Sequence, residues 1–164
     1  MTRPLGRRMR RPCFFVAASV KADIINPMKK RVLFLCTHNS CRSQMAEGLV
    51  NHYLGDRFQT FSAGTEATRV NPLAILVLAE LGIDISCHRS KILEEFNGEQ
   101  FDYVITLCGD ANEKCPLFFG KAERMHIGFP DPSKAIGTVD EILAEFRQVR
   151  DDIRQKLVEF FSNR

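Results

Sequence analysis

Short unbroken apolar runs alternate with amphipathic stretches through most of this chain. Val32-Leu33-Phe34-Leu35 reads as a strand buried on both faces, because nothing polar interrupts it. From Arg42 to about Gly55, Met45, Leu49, Tyr53 and Leu54 recur at near-helical spacing. Phe58–Ser62 reads as a second strand, with Ala63-Gly64-Thr65 as a turn after it. Asn71-Pro72 starts a second helix, since proline is tolerated at the first helical position. Leu73, Leu76, Val77 and Leu81 form its apolar face and Gly82 ends it. A loop over Asp84–Ser90 precedes a short helix over Lys91–Phe96. Tyr103–Leu107 and Arg124–Ile127 read as strands three and four, and Gly128–Pro132 as a loop. From Val139 to about Phe161 a long amphipathic helix places Ile142, Leu143, Phe146, Val149, Ile153, Leu157 and Phe160 on one side. Strands alternating with helices predict an α/β fold, a three-layer sandwich around a central four-stranded parallel sheet.

In such folds ligands bind at the carboxyl ends of the strands. The first strand ends in Cys36-Thr37-His38-Asn39-Ser40-Cys41-Arg42-Ser43, and only Cys36 among six cysteines has an Arg at the sixth following position. A polar loop between a strand and a helix can turn its N–H groups onto a tetrahedral anion, and the helix N-terminus adds positive potential. Thr37, His38, Asn39, Ser40 and Cys41 are therefore candidate oxyanion-binding residues, with Arg42 as a planar charged fork for two anion oxygens. The same groups favour a nucleophilic thiolate at Cys36, and Ser43 is placed to donate to it.

The strand-end rule also brings in Cys108 and Asp131, which follow the third and fourth strands. Cys115 lies seven residues beyond Cys108. In a helix, seven residues separate two Cα atoms by about 10 Å, whereas a disulfide needs them within about 7 Å. A bridge between the two would require the segment to loop out, which Gly109 and the polar residues after it ease. They are otherwise two ordinary thiols; no second Cys or His pair stands at the spacing of a metal site. Asp131, between Pro130 and Pro132, reads equally as a turn residue and as a general acid to the departing oxygen, the more so if desolvation raises its pKa.

Composition narrows the class. The chain has 164 residues, 45% hydrophobic and 26% charged, as expected of one globular domain. No apolar run approaches the ~20 residues of a membrane span. Arg3, Arg7, Arg8, Arg10, Arg11 and Lys21 face only Asp23 in the first 27 residues, so this stretch accounts for more than the whole net charge of +3. The remainder is slightly acidic, with no footprint for nucleic acid. Arginines followed by Cys13–Val20 resemble a weak signal peptide, but Met28-Lys29-Lys30-Arg31 is a more natural start. Residues 1–29 are therefore expected to be an extension, disordered or outside the fold, and 30–164 a single domain. Chemistry that needs reduced thiols predicts a cytoplasmic protein, and a monomer is expected.

Taken together, Cys-Thr-His-Asn-Ser-Cys-Arg-Ser-Gln-Met-Ala-Glu-Gly (36–48), Phe-Ser-Ala-Gly-Thr (61–65), Thr-Leu-Cys-Gly-Asp with Cys-Pro (106–116) and Asp-Pro (131–132) resemble the thioredoxin-coupled arsenate reductases. These share the low-molecular-weight protein tyrosine phosphatase fold, and the resemblance runs from about Lys30 to about Phe161. It implies a relay. Cys36 attacks bound arsenate, Arg42 clamps it, and Asp131 helps an oxygen leave as water. Cys108 then attacks Cys36 and releases arsenite, and Cys115 attacks Cys108. The Cys108–Cys115 disulfide is reduced by thioredoxin, with glutaredoxin and glutathione as the alternative. No cofactor is implied except a potassium ion in some members, held by residues matching Asn39, Glu47 and Ser62. Where an acidic ligand is expected this chain has Lys91, whose ammonium would replace the ion.

The rival reading is a low-molecular-weight phosphotyrosine phosphatase using Cys36, Arg42 and Asp131. It would leave Cys108 and Cys115 idle and expects aromatic residues after Asp-Pro, where Ser133, Lys134 and Ala135 stand. A non-enzymatic arsenic-binding module is a third reading, separated from the others by turnover.

Overall fold

The computed structural model describes residues 29–109 and 120–164, so Cys115 and the expected N-terminal extension up to residue 28 lie outside the described residues. The first apolar run forms β1 (Lys30–Cys36), one of two inner strands of a sheet with β2 (Phe58–Gly64), β3 (Tyr103–Thr106) and β4 (Glu123–His126). The spatial order is β2-β1-β3-β4 and every pairing is parallel. Parallel neighbours need crossovers, and α1 (Arg42–Leu54) makes the one from β1 to β2. All four strands therefore present their carboxyl ends at one edge, as the alternating pattern predicts.

Because β1 is buried on both sides, its alternate residues serve two cores. Val32 and Phe34 face α1, α2 (Pro72–Ala79) and α3 (Val139–Ser162), together with Tyr103 and Ile105 from β3. Leu33 and Leu35 face the other way, with Ala63, Val104, Phe101, and Leu93 and Phe96 of a 3-10 turn over Leu93–Phe96. That turn stands where a short helix was expected. β2 runs on through Gly64, which pairs with Cys36, so the turn expected at Ala63 begins one or two residues later.

Capping explains where the helices start. Asn71 accepts from Leu73 N at 2.8 Å ahead of Pro72. Thr138 and Glu141 form a reciprocal box, with Thr138 N donating to Glu141 Oε2 at 2.7 Å and Glu141 N to Thr138 Oγ1 at 3.3 Å. Two helix faces differ from expectation. α2 buries Ala74, Val77 and Leu78, while Leu76 is exposed. In Pro-Leu-Ala-Ile-Leu-Val-Leu-Ala every position is apolar, so periodicity cannot choose a face. α3 fully buries Phe161 in place of Phe160, continuing the i, i+4 step from Leu157. It also buries Arg150, which donates to Val77 O at 2.9 Å and pairs with Glu80 at 2.9 Å and Asp151 at 3.0 Å, tying α3 to α2. Among the described residues no helix is long and apolar enough to cross a membrane.

Phe161 joins the sheet to the helical layer, with ring centroids 6.5 Å from Phe34, 4.6 Å from Phe58 and 5.6 Å from Tyr103. Phe161→Ala is expected to cost about 3–5 kcal/mol, measured by urea unfolding. Phe160→Ala, only partly buried, is expected to cost less than half of that.

Candidate active site

The loop from Thr37 to Cys41 is defined by where its carbonyl oxygens go. Thr37 O accepts from Glu66 N at 2.8 Å. His38 O accepts from Ser90 Oγ at 2.9 Å and Thr68 N at 3.3 Å. Asn39 O accepts from Gln44 Nε2 at 3.2 Å, and Ser40 O from Asn71 N at 3.0 Å. Four successive carbonyls are thus held from outside the loop. With these carbonyls engaged, the loop's N–H groups are the backbone groups left that can turn onto an anion. Asn39 takes φ +47°, a left-handed conformation that asparagine tolerates better than most residues. Gly64 packs against the back of the loop. A Cβ there would lie 2.6 Å from Thr37 O and 2.8 Å from Asn39 N, both backbone atoms.

Cys36 ends β1 and is buried. Its Sγ lies 2.9 Å from Ser43 Oγ, which in turn accepts from Asn39 Nδ2 at 2.8 Å. With Asn39 donating, the serine proton is free to point at the sulfur. Asn39 is itself fixed, since its Oδ1 accepts from Lys91 N at 2.7 Å and Gln44 Nε2 at 2.9 Å. Gln44 Nε2 also faces Arg89 O at 3.0 Å, so Gln44 Oε1 accepts from His88 Nδ1 at 3.0 Å. Burial holds His88 below the usual histidine range, consistent with a neutral ring in this network. Gln44 and His88 support the nucleophile, and sequence reasoning passed over that role. The one available signal was a polar Gln on the inner side of the first helix.

Arg42 begins α1 and reaches across to the loop after β4. Its Nη1 donates to Phe129 O at 3.1 Å and its Nη2 to Asp131 Oδ2 at 3.0 Å. That loop is anchored to the end of β3, with Ile127 N donating to Thr106 O at 3.0 Å and Phe129 N to Leu107 O at 3.1 Å. Asp131 Oδ1 accepts from Ser133 N at 3.0 Å and Ser133 Oγ at 2.7 Å. The expectation that desolvation raises this carboxyl is corrected. Burial does push it up, but the Ser133 hydrogen bonds, the Arg42 charge and the nearby Lys134 together outweigh burial, and the net direction is down.

Cys108 is buried two residues past β3 and packs in the same apolar cluster as Cys36. The register explains why: Leu35 pairs with Thr106, and Leu107 N donates to Leu35 O at 2.8 Å. Thr37 Oγ1 lies 3.3 Å from Cys108 Sγ. Cys41 is different in kind. Burial above all, with the charges of Asp131 and Cys36 adding, pushes its thiol up to about 12. It is a wall of the pocket and a poor nucleophile.

Behind the loop, Glu47 Oε2 accepts from Ser62 Oγ and lies 3.4 Å from Lys91 Nζ. Lys91 Nζ also reaches Arg89 O at 3.4 Å. The expected potassium ligands Asn39, Glu47 and Ser62 do gather here, but Glu47 already pairs with an ammonium and Asn39 Oδ1 is already taken. This donor set does not suit a further cation. Cys36, His38, Ser40, Cys41, Arg42, Asp131 and Ser133 line a cavity of about 20 Å³. That is room for one water-sized group while Arg42 lies against Asp131.

The profile of the low molecular weight phosphotyrosine protein phosphatase family matches residues 31–163. An arsenate reductase of Bacillus subtilis is 50% identical over 131 residues, which cover 80% of this chain and 94% of that protein. A solved arsenate reductase in its phosphate-binding state superposes with a TM-score of 0.71 at 34% identity, covering 82% of this chain and 98% of the other. A thioredoxin-dependent arsenate reductase of Corynebacterium glutamicum gives a TM-score of 0.58 at 30% identity, covering 83% of this chain and 64% of its own.

The Gly64 contacts are backbone to backbone and cannot be relieved by a rotamer change. Gly64→Ala is expected to displace the loop and weaken inorganic phosphate binding at least tenfold by calorimetry, with the far-ultraviolet circular dichroism spectrum retained.

Proposed function

We propose that this chain, which belongs to the low molecular weight phosphotyrosine protein phosphatase family, reduces arsenate to arsenite with three thiols and is recycled by thioredoxin. The observation that carries the reading is Cys108, a second free thiol packed in the nucleophile's own cluster and touched by the loop through Thr37. Hydrolysis of a phosphate ester has no use for it.

The Cys36 thiolate attacks arsenic, and one As–O bond breaks. The leaving oxygen takes a proton and departs as water. Asp131 is the acid for this step, although Ser133 and Arg42 hold it ionised at rest. The arriving anion reverses that balance, because it draws Arg42 toward itself and adds negative charge beside the carboxylate. Cys108, as thiolate, then attacks Cys36 Sγ. The S–As bond breaks with its electron pair remaining on arsenic, which becomes As(III), and a Cys36–Cys108 disulfide forms. Cys115 attacks Cys108 Sγ and returns Cys36 as thiolate. Two electrons from thioredoxin then reduce the Cys108–Cys115 disulfide, by ordinary thiol–disulfide exchange.

The phosphatase reading keeps one observation in its favour: Cys36, Arg42 and Asp131 are all that ester cleavage needs, and they share one cavity. Slow cleavage of aryl phosphates is therefore expected as a side activity. The Lys91 ammonium serves in place of a potassium ion by neutralising Glu47, while the backbone N–H of Lys91 holds Asn39.

The test is arsenate-dependent NADPH oxidation with thioredoxin and thioredoxin reductase. Wild type is expected to turn over continuously, while Cys108→Ser and Cys115→Ser lose multiple turnover. Aryl phosphate cleavage by all three, without arsenate turnover, would favour the phosphatase. Exchanging potassium chloride for sodium chloride is expected to change the wild-type rate less than twofold. A strong potassium requirement would overturn the role given to Lys91.

A further inference from the structure

Far from the anion loop, α1 and α3 flank an open groove of about 560 Å³. Tyr53, in the last turn of α1, forms one wall and is 41% exposed. The other wall is a stripe along α3 that includes Asp151, Asp152, Val158 and Glu159, positions three and four apart on one helix face. Three carboxylates stand there against the one guanidinium of Arg154. Asp151 is taken up by Arg150 at 3.0 Å and Arg154 at 3.8 Å. Asp152 accepts from Gln148 Nε2 at 3.0 Å, and among the described residues neither Asp152 nor Glu159 forms an ion pair. The groove therefore offers an aromatic ring and an aliphatic side chain beside two carboxylates open to a counter-charge.

The chain enters the fold at this groove. Lys30 N donates to Arg57 O at 3.0 Å, and Arg57 N to the carbonyl of Leu54, the neighbour of Tyr53, at 3.0 Å. Lys30 Nζ reaches Tyr103 Oη at 3.3 Å, and the Tyr103 ring stands 6.3 Å from that of Phe160, the neighbour of Glu159. Both walls thus lie close to the point where residues 1–28 join β1. That stretch carries Arg7, Arg8, Arg10 and Arg11, followed at once by Pro12 and Cys13-Phe14-Phe15-Val16. Basic and apolar groups side by side are what the groove lacks. Reach is ample: the chain from Val16 to Lys30 extends up to about 45 Å, and the stripe from Gln148 to Glu159 is about 16 Å long.

We propose that residues 7–16 dock in the groove between α1 and α3, with Phe14 and Phe15 covering Tyr53 and Val158 and the arginines facing Asp152 and Glu159. Exposed ion pairs are individually weak, but a tether supplies the segment at an effective concentration on the order of millimolar. The groove lies at the carboxyl end of α1, whereas Arg42 and the anion loop lie at its start, so the docking is independent of the reductase reading.

The chain contains no tryptophan, so Phe14→Trp in the full chain is a single fluorescent reporter, and Phe15→Trp is a second. Docking predicts blue-shifted emission and acrylamide quenching well below that of a free peptide of residues 7–18 carrying the same tryptophan. Adding Asp152→Lys with Glu159→Lys turns two attractions into repulsions. This is expected to lower the docked-to-free ratio about tenfold and to bring quenching toward that of the peptide. Further reversal by Arg10→Glu with Arg11→Glu is expected to restore the protected emission. All variants are expected to keep the far-ultraviolet circular dichroism spectrum. Peptide-like emission from both reporters, or protection that the α3 charge reversal leaves unchanged, would overturn the proposal. So would a blue shift that grows with protein concentration, which assigns the segment to the groove of a second copy.

Discussion

The site depends on one constraint: the carbonyl oxygens of Thr37, His38, Asn39 and Ser40 must all face away from the cavity. An inward carbonyl would repel an anion and remove a donor at once. Each therefore needs a partner outside, and those partners recruit much of the surrounding chain. Glu66 and Thr68 supply N–H groups, Ser90 a hydroxyl, Gln44 an amide, and Asn71 its own N–H. Asn71 also caps α2, so the helix start and the loop are fixed by the same residue. Gly64 lets β2 approach closely enough for the strap over residues 65–71 to lie along the loop. The fold near the sheet edge is largely the consequence of satisfying these four oxygens.

Arg42 is held by a second constraint. Its guanidinium is mostly buried, with 11% of the side chain exposed, and a buried charge needs a partner. At rest that partner is Asp131. An incoming oxyanion offers the same guanidinium a better match, so binding exchanges one ion pair for another and most desolvation of the arginine is already complete. On the proposed mechanism, that exchange frees the carboxylate at the moment when the departing oxygen needs a proton, so that substrate binding and acid activation would be one event.

Much of this was legible in the sequence. An apolar strand running into Cys36, with Arg42 six residues later, sets the proposed nucleophile and anion clamp in one cavity, because the loop's chemistry and its neighbours in sequence coincide. Parallel topology followed from alternation, and it brought Cys108 and Asp131 to the same edge. What was not legible is set by contacts between distant segments. The exposed face of α2 depends on where α3 lies, since its own sequence is uniformly apolar. The choice of Phe161 over Phe160 depends on how α3 crosses Phe34 and Phe58. Asp131 was misjudged in direction because its partners are Ser133, two residues on, and Arg42, far away in the chain. The Gln44–His88 support likewise appears only when the loop over 84–90 folds against α1.

The parallel register also explains how one anion trap serves two chemistries. A cysteine that has attacked a tetrahedral oxyanion through this loop is a covalent intermediate awaiting a second attack. With phosphorus, water must attack the central atom, because a thiol cannot draw phosphorus down to a lower oxidation state under these conditions. With arsenic, a thiol can attack sulfur instead, and the S–As electron pair stays on arsenic. Which path is open depends on whether a thiol stands beside Cys36. A residue just past the neighbouring parallel strand meets that requirement, and here it is Cys108, one position beyond the Leu107 N–H that closes onto Leu35. Discrimination between arsenate and phosphate then belongs to the sulfur-to-sulfur step. On the proposed relay both ions would enter the same cradle, and only the arsenic adduct would give Cys108 a productive target.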